Sequence, residues 1–193
     1  MSTPRFLFRE LVEMIEGDNR ENCLNILDEY STSFLNTPGS THNHQNWRGG
    51  YWDHIVEVMN RAVFLYSINS RSFPFTLSSA LLVLFLHDIE KPWKYELDLD
   101  GSFGPKKNFS TEEQSHNFRD AFINHWGITL TEEEKNALKY VHGEGLDYSS
   151  KRRVMGPLAA FCHICDVWVA RIDYDCPMKD NDPWTGAGRI RKE

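Results

Sequence analysis

The sequence predicts an all-α chain folded as one helical bundle. Three observations carry that expectation. Apolar residues recur at helical spacing through most of the 193 residues. Capping patterns and Gly or Pro punctuation divide these stretches into helix-sized pieces. No segment shows convincing apolar–polar alternation, and no internal repeat or low-complexity linker interrupts the pattern.

Phe6, Leu7, Leu11, Met14 and Ile15 form a first apolar stripe; Cys23, Leu24, Leu27 and Tyr30 form a second. Asn36 to Gly50, NTPGSTHNHQNWRGG, is rich in turn formers and reads as a loop. A third helix is expected from about Tyr51 to Tyr66, with Ile55, Val58, Met59 and Ala62 inward. Thr76 or Ser78 opens a fourth, which carries ALLVLFL and ends near His87 and Asp88. Pro92 cannot continue a regular helix and biases Lys91 toward extended backbone. DLDGSFGPKKN is a second long loop. STEEQ, from Ser110, has a capping-box pattern that opens a helix through His125, and Thr131 with Glu134 repeats the device. The last long helix lies in RRVMGPLAAFCHICDVWVARI, with Gly156–Pro157 at its start or at a kink. Residues 176–193 read as an irregular tail.

Composition narrows the function. Hydrophobic content of 40%, charged content of 25% and a net charge of −7 fit a soluble globular protein and argue against binding long nucleic acid. ALLVLFL is too short to span a bilayer, so no membrane partner is expected. The N-terminal stretch is acidic and helically spaced, unlike a signal peptide. Cys23, Cys162, Cys165 and Cys176 are too few for a disulfide framework in a chain this size, which fits a cytoplasmic location. CHIC, from Cys162 to Cys165, lacks a second pair and sits in an apolar run, so it reads as two core cysteines.

The chemistry gathers in LFLHDIEKPWKY, Leu84 to Tyr95, where an apolar run ends in His87 and Asp88. A His–Asp doublet alone is weak. Other helices, however, carry His54, His116, His142 and Asp166. An ionised Asp166 inside FCHICDVWVA is costly unless paired or ligated. A bundle can aim one or two such groups per helix at a common centre. Imidazole and carboxylate suit Mn, Fe, Co, Ni or Zn, and Asp88 is placed to bridge two ions.

The ordered set His…His-Asp…His…His…Asp resembles the HD-domain superfamily of metal-dependent phosphohydrolases, in its two-metal branch. WRGGYWDHIVEVM, LHDIEKPWKY, SHNFRDAFINHWGITLTEEEKNALKYVHGEG and HICDVWVAR resemble the family's successive elements, from about residue 49 to 173. Glu90 stands where the family has glycine. The resemblance implies an HD-type bundle over 1–193, with residues 1–48 as N-terminal helices and loop. It implies one divalent transition metal held by His54, His87, Asp88 and Asp166. A second would be held by His116 and His142, with Asp88 shared. The residues themselves yield the same six ligands without that partition.

Lys91, three residues after Asp88, is placed to bind a phosphate as a point charge. Arg48, Lys106, Lys107 and Arg119 are weaker phosphate contacts, and Trp47, Trp52 and Trp93 are candidates to stack on a base or to sit in the core. His125 falls opposite His116, His163 shares a face with Asp166, and His42 and His44 read as solvated loop residues. The expectation is hydrolysis of a nucleotide or other small phosphoester by a metal-activated water, with Lys91 and Asp88 in catalytic roles. Two alternatives use the same residues: a di-iron oxygenase similar to myo-inositol oxygenase, and a regulatory or binding domain without catalysis.

Overall fold

The computed structural model describes residues 5–41, 44–68, 73–97 and 103–173. Within them the chain is an all-α bundle with one small hairpin. Helices α1 (Phe8–Glu13) and α2 (Asp18–Phe34) lead into α3 (Gly50–Ile68), α4 (Leu77–Leu86) and the short α5 (Lys91–Lys94). Strands β1 (Tyr95–Leu97) and β2 (Phe103–Pro105) follow, then α6 (Glu112–His125), α7 (Glu132–Tyr140) and α8 (Pro157–Trp168). A π-helical turn, Val169–Asp173, continues α8.

α4 is the centre. Thr76 caps it by accepting from the Ser79 amide. Every residue from Ala80 to Leu86 is buried. A helix apolar on all sides is one that neighbours surround; here α1, α3, α7 and α8 pack on it. α3 buries Tyr51, His54, Ile55, Val58, Met59 and Ala62. His54 therefore lies on the same inward stripe as the aliphatic residues. α8 begins at Pro157, the first-turn position proline favours. It buries Leu158, Cys162, Cys165 and Asp166 on one face, which turns that carboxylate inward. Arg61 on α3 pairs with Asp173 at 2.7 Å and lies 4.6 Å over the Trp168 ring, tying the end of α8 to α3.

Several expectations shift by a residue or a turn. The first helix starts at Phe8, which is buried in place of the exposed Leu7. The α6 capping box uses Thr111 and Gln114, one position beyond Ser110, because Gln114 reaches back to the Thr111 amide. Thr131 and Glu134 form the α7 box as expected. The loop after Tyr95 contains an antiparallel pair, Glu96 opposite Gly104. Strands of three residues are too short to show alternation. Pro92 does not extend the chain at Lys91. It occupies the start of a new helical turn, where a missing N–H costs nothing. The expected irregular tail, Cys176 and His42 lie outside the described residues.

Candidate metal centre

Three elements deliver the site. α3 brings His54, the C-terminal end of α4 brings His87, the next residue is Asp88, and α8 brings Asp166. All four are buried: His54 and His87 at 0%, Asp88 at 3% and Asp166 at 8% exposure. His54 Nε2 lies 3.3 Å from His87 Nε2, 3.2 Å from Asp166 Oδ1 and 3.5 Å from Asp88 Oδ2. His87 Nε2 lies 3.2 Å from Asp88 Oδ2 and 3.9 Å from Asp166 Oδ1.

The far ring nitrogens explain this convergence. His54 Nδ1 donates to Gln45 Oε1 at 2.9 Å, and His87 Nδ1 donates to the Leu84 carbonyl at 2.7 Å. A proton held on Nδ1 leaves the Nε2 lone pair facing the cluster, the tautomer a metal ligand needs. Two nitrogen lone pairs and two carboxylate oxygens thus face one another. Ligands about 2.0–2.1 Å from a common ion stand roughly 3.4 Å apart in a tetrahedral arrangement. The separations between these histidine nitrogens and carboxylate oxygens, 3.2 to 3.9 Å, bracket that value. The donor set could therefore hold a metal ion.

The electrostatics agree. Burial opposes ionisation of Asp88, but Lys91 and His87 outweigh it and hold its carboxyl well below the usual range. Burial likewise opposes Asp166, and its hydrogen bond with His54 lowers it. Burial pushes His54 down and keeps it neutral, despite the carboxylates beside it. His87 is raised, because Asp88 outweighs its burial. Asp88 and Asp166 are both held ionised beside the Lys91 ammonium, and the same negative charge favours a proton on His87, which a bound metal ion would displace.

Lys91 is buried, with its Nζ 2.5 Å from Asp88 Oδ2 and donating to the Gly39 carbonyl. Asp88 raises it against the effect of burial. Asp88 is also central to a second grouping, His87, Asp88 and His142. Its Oδ1 lies 3.5 Å from His142 Nε2, on a half-exposed side chain. The two groupings share His87, and Asp88 reaches His54 and His87 through Oδ2 and His142 through Oδ1, so its carboxylate lies between them. His116 belongs to neither grouping. It lines a cleft of about 680 Å³ between α6 and α7 with Arg119 and Lys139. Burial and Arg119 lower its pKa, with a smaller contribution from His142.

Other residues settle into structural places. Arg119 is buried and donates to the His87 carbonyl at 3.0 Å, bracing the backbone of the doublet. Arg48 bonds Asn36, and Trp47 donates to Asp53. Trp52 packs edge-on against Phe8, and Trp93 sits among Tyr30, Phe118 and Phe122. His125 is exposed and His163 Nδ1 donates to the Val141 carbonyl at 2.7 Å. Lys107 is exposed and Lys106 half-buried. Cys162 and Cys165 are buried free thiols.

Sequence reasoning passed over Gln45 and undervalued His44. Both lie in the Asn36–Gly50 loop that precedes α3, outside the helical stripe that points His54 inward. Gln45 is fully buried with φ of 51°. A side chain on Gly50 would meet the Gln45 carbonyl oxygen at 1.9 Å, so glycine there lets the loop close on the site. The His44 ring centroid is 4.9 Å from that of His54. Burial pushes His44 down to about 2, with His54 and Lys91 adding to the effect, so its ring is neutral.

No family model, curated protein or solved structure matches the chain. The buried histidine–carboxylate centre stands on its geometry alone.

Proposed function

We propose that this protein is a metal-dependent phosphohydrolase acting on a nucleotide or another small phosphoester. The observation that carries the reading is the pair of buried imidazoles whose Nδ1 atoms are tied outward while their Nε2 atoms converge on Asp166 and Asp88. His54, His87, Asp88 and Asp166 would hold one ion; His142 with Asp88 would contribute to a second, with His116 lining the neighbouring cleft between α6 and α7. A divalent ion there supplies Lewis acidity, making a bound water more acidic and offsetting charge on phosphorus.

The chain's own residues divide the remaining work. Gln45 and the Leu84 carbonyl fix the tautomers and ring planes of His54 and His87. Arg119 holds the carbonyl of His87. Lys91 keeps Asp88 ionised and places a fixed positive charge beside the centre, suited to an anionic substrate. The resemblance of the ordered ligands to the HD superfamily supports the same reading.

The test is phosphate release under argon. Mn²⁺-loaded protein is screened against nucleoside mono-, di- and triphosphates, cyclic nucleotides and sugar phosphates. Release that depends on metal and not on oxygen is the expected result. Oxygen-dependent turnover of an iron-loaded protein, with no phosphate from any substrate, would overturn the reading in favour of an oxygenase.

A further inference from the structure

His44 is a polar side chain beside the centre that the ligand set leaves unused. Its Nδ1 and Nε2 are both buried, and neither has a hydrogen-bond partner among the described residues. The ring is tilted 37° against that of His54, and its electrostatic neighbours are His54, Lys91, Asp166 and Asp88, all from the centre. It nevertheless belongs to neither group of converging donor atoms. The ring therefore lies against His54 at the edge of the site, outside the ligand cluster.

Its position is built by the loop around it. Ser40 Oγ donates to the His44 carbonyl at 2.7 Å, and the Gly39 amide donates to the Gln45 carbonyl at 3.0 Å. The next side chain, Gln45, anchors on His54. A ring with two buried nitrogens unsatisfied carries a desolvation cost that nothing among the described residues offsets. Such groups call for an explanation, and a bound ligand is the simplest one where they border a reactive centre. A neutral imidazole offers one N–H donor and one acceptor. Beside the Lys91 ammonium, the N–H matches an oxygen on a phosphoryl group.

We propose that His44 is a substrate-contacting residue of this centre, donating a ring N–H to a non-bridging oxygen of the bound phosphoester. The proposal rests on the phosphohydrolase reading and adds a residue to it. His44 enlarges the recognition set beyond metal and lysine, from a loop that also orients His54.

The experiment uses the full chain loaded with Mn²⁺ and inorganic phosphate as the probe, titrated by calorimetry. His44→Ala should weaken phosphate affinity by about tenfold, the scale of one lost hydrogen bond to a charged group. Mn²⁺ affinity should stay within about twofold, because His44 is not a ligand. His44→Gln, which restores an N–H, should recover part of the loss. Melting of the phosphate-free protein supplies the structural control: removing two unsatisfied nitrogens should leave Tm unchanged or higher, whereas a packing role lowers it. Equal phosphate affinity in wild type and both variants overturns the proposal and leaves the phosphohydrolase reading standing. Loss of Mn²⁺ from His44→Ala overturns it by making His44 a ligand. Wild-type protein that binds Mn²⁺ but no phosphate overturns the phosphoester reading itself and the His44 contact with it.

Discussion

Replacing Gln45 by leucine removes the acceptor that holds the proton on His54 Nδ1. Both side chains are fully buried, and the bond is 2.9 Å long, so no water takes the acceptor's place. The imidazole then has two options. It keeps the N–H unpartnered, at about 1–3 kcal/mol, or it moves the proton to Nε2 and ceases to be a ligand. Either route weakens metal binding, and loss of such supporting partners typically costs about 10–100-fold in affinity. That range corresponds to roughly 1.4–2.7 kcal/mol. The metal-free fold should respond differently. Gln45 Nε2 is itself buried with no hydrogen-bond partner among the described residues, so leucine removes one unsatisfied group while creating another. The expected signature is a split: Mn²⁺ affinity, measured against a competing chelator, falls at least tenfold while the metal-free Tm moves little. A variant that binds Mn²⁺ within twofold of wild type would refute the role given to Gln45.

Other substitutions probe the same centre and its supports. Lys91→Met leaves the buried Asp88 without its counter-charge, which costs about 3–5 kcal/mol. At roughly 2–4 °C per kcal/mol, the metal-free Tm should drop by about 6–20 °C. Saturating Mn²⁺ should restore part of it, and scanning fluorimetry with and without chelator reads the difference. Gly50→Ala drives a methyl into the Gln45 carbonyl, a backbone atom, so it should destabilise by about 1–3 kcal/mol or more in urea unfolding and lower metal affinity with it. Burial pushes the Cys23 thiol up to about 12 and raises Cys162 and Cys165 as well. All three should resist alkylation at pH 8 in the folded protein and label on unfolding, as peptide mass mapping would show.

The fold was legible where helical periodicity is strong. α4 is a continuous apolar run and α7 carries a full capping box, and both appear where the pattern puts them. His54 and Asp166 were legible for a related reason: each is a polar residue on an apolar helix stripe, and a stripe fixes which way a side chain points. The loop residues were not. Nothing in NTPGSTHNHQNWRGG shows that Gln45 is buried, because its burial depends on the close approach that Gly50 allows and on a partner in α3. Composition made that loop look solvated, yet long-range contacts decide its place. Arg119 illustrates the same limit: its charge suggested phosphate, while the bundle packs it under the His87 carbonyl. Lys91 was placed near Asp88 by spacing, but its burial against Gly39 depends on the same loop.

The proposed phosphohydrolase needs a divalent ion at the meeting point of α3, α4 and α8. Anomalous diffraction from crystals grown with saturating Mn²⁺ tests it most directly. The expected result is a peak about 2.0–2.2 Å from His54 Nε2, His87 Nε2 and the Asp166 carboxylate, a typical N/O coordination distance, with Asp88 completing the set. Mn²⁺ bound only elsewhere, or no peak with these four side chains still converging, would contradict it.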